Sequence, residues 1–306
     1  MSENEMSKKP LLARGHMLVA NPGMALVVLF AVFAFFLILT PILSGLIGRL
    51  CSKPEAAIRI SIVLQDVLAF VLPAVVMAVV ATRLPARLLA VDKKPKLLTV
   101  LLAFATLVCA TPAMNAIIEW NANWHLPEAF SGFEALMRQM EDAAQTVTDQ
   151  LMAKSTVPSL IVSILIVGVL AGFSEELFFR GAMQRLFGEM GMNKHVAVWS
   201  VALIFSVMHF QFFGFVPRML LGVFLGYLLV WSRSLWVPMI IHIINNSIVV
   251  FTTWREVNEL EAGENFNTIG SDLTNTGDVM LVIGSVIVTV VLLYALYKTN
   301  RQNLES

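Results

Sequence analysis

Apolar residues fall along this chain in long, nearly unbroken runs, separated by short charged connections and by one longer polar stretch. A helix needs about 20 mostly apolar residues to cross a hydrocarbon core of about 30 Å. About eight runs answer to that need, at 24–47, 60–81, 97–118, 157–174, 196–214, 217–232, 236–253 and 279–297. Pro217 and Pro238 stand near the starts of the sixth and seventh, where the first turn of a helix tolerates proline. The pattern predicts an all-α polytopic membrane protein with about eight transmembrane helices. In the polar stretch, "FEALMRQMEDAAQTVTDQLM" spaces Phe133, Leu136, Met137 and Met140 at helical intervals. This predicts an amphipathic helix outside the membrane, which lies on the interface, caps a site or packs on a second copy of the chain.

The runs divide the chain into three parts. Residues 1–156 hold three spans and the extramembrane helix, 157–250 hold the chemistry described below, and 251–306 hold an outer loop, the last span and the tail. The N-terminus is polar, without the apolar core of a leader peptide, so the first run is expected to be a retained span.

Composition agrees with the runs. The 306 residues are 58% hydrophobic and 14% charged, which excludes a soluble domain of this size. The formal net charge is zero, so no overall field points to nucleic acid, and the lipid bilayer is the expected surrounding. Charge carries meaning through its distribution. Residues 83–96 hold Arg83, Arg87, Lys93, Lys94 and Lys96 against a single Asp92, whereas 119–154 hold six acids against two bases. The positive-inside rule then puts the first connection in the cytoplasm and the second outside. Eight spans put both termini inside, with Lys8, Lys9 and Arg14 at one end and Lys298 and Arg301 at the other; the expected location is a bacterial inner membrane. Arg49, Lys53 and Arg59 run against the rule. Cys51 and Cys109 lie near or within apolar runs, where inert thiols are ordinary.

Ionisable side chains at membrane depth are costly unless paired or wetted, so they are the first functional candidates. Three runs carry them, in "SEELFFR" at 174–180, "IFSVMHF" at 204–210 and "IIHIINNS" at 240–247. Residues four apart share a helix face and adjacent ones diverge. Glu176 therefore stands over Arg180 and neutralises it, leaving Glu175 available. Phe205 and His209 share a face, as do His242 and Asn246, with Asn245 an equal candidate for the amide. A carboxylate, two imidazoles and an amide suit the activation of water and the stabilisation of an oxyanion. They also suit a divalent metal such as zinc, with Glu175, His209 and His242 as its candidate ligands, although no HExxH is present. Taken singly, each of these residues is as well explained by interhelical hydrogen bonding. Gly222 and Gly226 form a GxxxG whose ordinary role is close helix packing.

In order, these segments resemble the EExxxR, FxxxH and HxxxN motifs of the CAAX protease and bacteriocin-processing family of intramembrane proteases, also called the abortive-infection family. They read Glu175-Glu176-Leu-Phe-Phe-Arg180, Phe205-Ser-Val-Met-His209 and His242-Ile-Ile-Asn-Asn246. The resemblance covers roughly 157–250 and implies an eight-helix membrane fold that hydrolyses peptide bonds in or near the bilayer. It implies Glu175 as the water-activating base with His209 as its partner, His242 and Asn246 as oxyanion donors, and Glu176 and Arg180 as support. The family has been described both as metalloproteases and as metal-independent glutamate proteases. The expected function is thus an intramembrane endopeptidase acting on a peptide or membrane-protein substrate, with EExxxR at the cytoplasmic end of its span. The competing functions are a non-enzymatic peptide-binding or immunity protein of the same fold and, behind it, a transporter using these residues as a proton relay.

Overall fold

A computed structural model describes residues 21–258 and 268–301. Lys8, Lys9, Arg14 and residues 259–267 of the acidic 254–278 loop lie outside the described residues. Within them the chain is helical. The helices are α1 (Pro22–Leu50), α2 (Pro54–Ala81), α3 (Leu97–Ala122), α4 (Ser131–Met152), α5 (Val157–Glu189), α6 (Lys194–Val207), α7 (Phe215–Ser232), α8 (Trp236–Val257) and α9 (Thr276–Asn300). Seven of them are long and apolar enough to cross a membrane, and the protein is a polytopic all-α membrane protein.

The fifth expected span, 196–214, differs. Its helix, α6, has 14 residues and stops at Val207, about 21 Å at 1.5 Å per residue. The chain then turns at Met208–Phe210 and through a 3-10 turn at Phe212–Gly214 before α7 returns. Phe210 takes a left-handed φ of 54° in that turn. The sequence there, "HFQFFGF", carries four phenylalanines around His209 and Gln211, so hydropathy alone runs across the turn.

A second difference concerns α5. The hydropathic run ends at the glutamates, but the helix continues to Glu189, a length of 33 residues. Glu175 therefore sits near mid-helix, about 27 Å from the first residue and about 21 Å from the last, and not at a helix end. The charges that end the run are held inside the bundle. On either side of Ala171–Glu176 the helix widens into π-helical stretches, Ile164–Leu170 and Leu177–Gln184, a distortion often found at functional sites.

Two features set the position of the site. The GxxxG of α7 packs on α6: a Cβ on Gly222 would stand 3.1 Å from Ala202 Cβ, and one on Gly226 3.0 Å from Val198 Cγ1. This close approach brings Phe205 and His209 against α5. Behind them an aromatic cluster of Phe33, Phe70, Phe178, Phe179 and Phe205 joins α1, α2, α5 and α6, with ring centroids 5.1–6.0 Å apart.

The amphipathic helix α4 caps the turn after α6. Glu141 accepts the Phe213 backbone N–H at 3.2 Å, and the Arg138 guanidinium lies 4.0 Å from the Phe213 ring centre. At its far end Leu151 and Met152 are buried beside Ile58, Ile62 and Trp254, and Lys154 pairs with Glu55. Arg59, an exception to the charge rule, donates to Ser159 Oγ at 2.7 Å.

Candidate active site

The three motifs meet. Arg180 Nη1 donates to Glu176 Oε1 at 2.6 Å, and both side chains are fully buried. Arg180 Nη2 donates to the Gly222 carbonyl at 3.0 Å, which ties α5 to α7. His242 Nδ1 lies 2.8 Å from the same Glu176 oxygen, and its Nε2 lies 3.7 Å from Glu175 Oε2. His242 thus stands between the two glutamates. A carboxylate accepts, so the Nδ1–H of His242 points at Glu176, and Nε2 faces Glu175.

The glutamates differ in access as the spacing predicts. Glu176 is fully buried in its pair, whereas the Glu175 side chain is 15% exposed and faces a cavity. That cavity measures about 640 Å³ and is also lined by His209, His242, Asn245 and Asn246. Its other walls are largely apolar, from α3 (Leu107, Met114) and α8 (Ile248, Val249).

His209 lies just past the end of α6 rather than on its face. Its Nδ1 is 2.7 Å from the Phe205 carbonyl, which only accepts, so the proton sits on Nδ1 and the Nε2 lone pair is left to accept from water. Phe205 forms the expected aromatic wall. Its ring is 4.8 Å from His209, 5.9 Å from His242 and 4.6 Å from the Arg180 guanidinium. Asn246 Nδ2 donates to the Val167 carbonyl at 3.4 Å, and Asn245 Nδ2 donates to Asn246 Oδ1 at 3.2 Å, so the two amides form a linked pair on the cavity wall.

The cavity occupies one half of the bundle. Its lining comes from the second half of α3, the first half of α5 and the α6–α7 turn, the end that carries the acidic 119–154 stretch. The basic connection 83–96 lies at the other end. The EExxxR motif therefore does not end its helix, because α5 runs on well past it, and the cavity lies away from the basic connection.

Two contributors escape the sequence motifs. Asp66, in a π-helical stretch of α2, is 4% exposed; it lies within reach of the Ser174 hydroxyl and near Glu175. An aspartate inside the apolar run "SIVLQDVLAF" was itself the signal. Arg218, one turn into α7, lines the cavity and donates to Gln211 Oε1 at 2.6 Å.

Among the described residues no three His, Cys, Asp or Glu side chains are placed to share one ion. The expected metal candidates Glu175, His209 and His242 all line the cavity, and each histidine has its Nδ1 engaged, by the Phe205 carbonyl and by Glu176, with Nε2 left over.

Residues 157–248, which carry all three motifs, match the family described as "Type II CAAX prenyl endopeptidase Rce1-like". The motifs read from the sequence all fall inside this matched segment. The chain is also 26% identical over 106 residues to a protein of Bacillus subtilis (strain 168) named "Uncharacterized protein YpbD". That match covers 33% of this chain and 49% of the relative, so the chain spans about half the length of the curated relative it matches. No solved structure matches the chain.

Proposed function

We propose that the protein is an intramembrane endopeptidase in which Glu175 activates water against a peptide bond held in the cavity. One observation supports this most directly: Glu175 alone of the two glutamates reaches the cavity, which both motif histidines and the asparagine pair also line. Glu175 takes a proton from water as the water oxygen bonds to the carbonyl carbon, and His209 Nε2 accepts the water's second hydrogen and orients it. Asn246, with Asn245, donates to the resulting oxyanion, a contribution of about 2.7–4 kcal/mol per donor in such sites. The C–N bond then breaks, and the proton held by Glu175 passes to the leaving amine. With its Nδ1–H bound to Glu176, His242 turns the Nε2 lone pair toward Glu175, where it can share the proton that Glu175 takes from water. No step requires a metal.

The apolar walls suit an extended, largely apolar peptide or a membrane-protein segment. The test is cleavage of a peptide library or membrane proteome by purified protein, with wild type beside Glu175→Ala and with and without chelator. Cleavage by the wild type alone, unaffected by chelator, supports the proposal. Cleavage by Glu175→Ala refutes it, and loss with chelator restores the metalloprotease alternative. Glu175→Gln that keeps the biological activity would favour the peptide-binding or immunity function.

A further inference from the structure

A second cavity, of about 550 Å³, lies at the end of the bundle opposite the active site. Its wall carries five basic side chains: Arg87 and Lys93 from the α2–α3 connection, Arg185 from the last turns of α5, Lys194 at the start of α6, and Arg233 just after α7. The acidic groups that face them are Asp92 and Glu189. Ala197, Leu229 and Val230 supply an apolar side. Neither the motifs nor the hydrolytic chemistry uses any of these residues.

The cavity is built rather than incidental. The Leu235 N–H donates to the Ala90 carbonyl at 2.9 Å, Ser234 Oγ to the Lys93 carbonyl at 2.6 Å, and Arg185 Nε to the Leu88 carbonyl at 3.1 Å. These bonds pin the basic connection against α5 and the α7–α8 turn. Ala90 and Arg233, both on the cavity wall, take left-handed φ angles of 56° and 53°. Such strain on non-glycine residues persists where surrounding structure enforces it, and it collects at functional sites. Among the described residues the remaining non-glycine case is Phe210, beside His209.

The position suggests the ligand. The cavity sits where α5 and α7 end and α6 and α8 begin. Trp236, at the start of α8, is 38% exposed there, and its indole N–H donates inward to the Val91 carbonyl at 2.9 Å. Tryptophan marks the membrane–water boundary, and basic pockets between helices on the cytoplasmic side hold anionic headgroups. We propose that this cavity binds a phosphate-bearing anion, the headgroup of an anionic phospholipid or a free phosphate of the same chemistry. Occupancy would cross-link α5, α6 and α7, the helices that carry Glu175, Phe205 and Gly222.

The test uses the full-length protein in detergent and in nanodiscs, as wild type and as the triple variant Arg87→Gln, Lys93→Gln, Lys194→Gln. These three side chains are exposed, so folding is retained and is checked by thermal unfolding. Native mass spectrometry reads binding of phosphatidylglycerol against phosphatidylcholine, with inorganic phosphate as competitor. The expected result is a preference for phosphatidylglycerol that weakens with salt and falls at least about tenfold in the variant, as loss of three juxtamembrane cations implies. Displacement by millimolar phosphate would identify a free anion as the ligand; resistance would identify the lipid. Equal binding of the two lipids to wild type, with no phosphate binding, would overturn the proposal, as would an unchanged preference in a folded variant.

Discussion

His242 and Arg180, drawn from different helices, converge on one oxygen of Glu176, at 2.8 Å and 2.6 Å. The imidazole is thereby fixed with its second nitrogen toward Glu175, and the buried pair becomes a support for the group that faces the cavity.

Replacing His242 should separate catalysis from folding. In His242→Ala, Glu176 keeps Arg180, so the unfolding temperature should fall modestly, by an amount equivalent to about 1–3 kcal/mol for a lost buried partner. Turnover should fall about 10²–10⁴-fold, the span typical of positioned proton-transfer groups. Cleavage assays beside thermal unfolding in detergent check this, and near-normal turnover would remove His242 from the mechanism.

The Glu176–Arg180 pair should behave in the opposite way. Both side chains are fully buried, and removing one leaves an uncompensated charge, at a cost of about 3–5 kcal/mol. Arg180→Met should therefore destabilise strongly, and Glu176→Gln with Arg180→Met should recover much of the loss. A double variant no more stable than Arg180→Met would mean that the pair is not a closed unit.

The sequence displayed the spans, the partnership of Glu176 with Arg180 and the availability of Glu175, because each rests on local periodicity. It misplaced what depends on neighbours. Hydropathy ended α5 at Glu175 because it counts a buried charge as a boundary, and it carried α6 through His209 because the turn there is made of phenylalanines. Spacing pairs His242 with Asn246, four residues on. Its contact with Glu176, 66 residues away, follows from helix packing that no spacing within one helix records. Asp66 stands alone, without a motif around it, so no spacing singles it out.

Gly172 gives a graded test of that packing. A Cβ there would lie 3.0 Å from the backbone nitrogen of Ile243 and 3.2 Å from its Cα, and Ile243 directly follows His242. Backbone cannot step aside as a side-chain tip can. Gly172→Ala should move α8 by a few tenths of an ångström and lower turnover several-fold, and Gly172→Val should lower it by about 10²-fold, since a displacement near 1 Å costs that much in a positioned site. Gly168 is the control. Its Cβ would meet the Ser247 hydroxyl at 2.6 Å, a group that can rotate away, so Gly168→Ala should cost less than Gly172→Ala. The reverse order would show that α8 is not held by this contact.

The cap formed by α4 should respond to acid. Glu134 accepts the Leu126 backbone N–H at 2.7 Å and Arg138 Nη2 at 2.8 Å. These partners, the backbone first, hold its carboxyl down to about 2 from an ordinary 4.5. A depressed carboxyl contributes stability that is complete above the unfolded value and is lost as pH falls through the folded one. The junction between 124–126 and the first turns of α4 should thus stay closed at neutral pH, weaken below about 4.5, and open toward about 2. Hydrogen exchange followed across that range should show protection of the Leu126 amide declining in that window. Glu134→Gln should exchange faster already at neutral pH and lose the acid-dependent step, because no charge remains to be titrated there. Exchange at Leu126 that is insensitive both to acid and to the substitution would show that the carboxylate does not hold this junction.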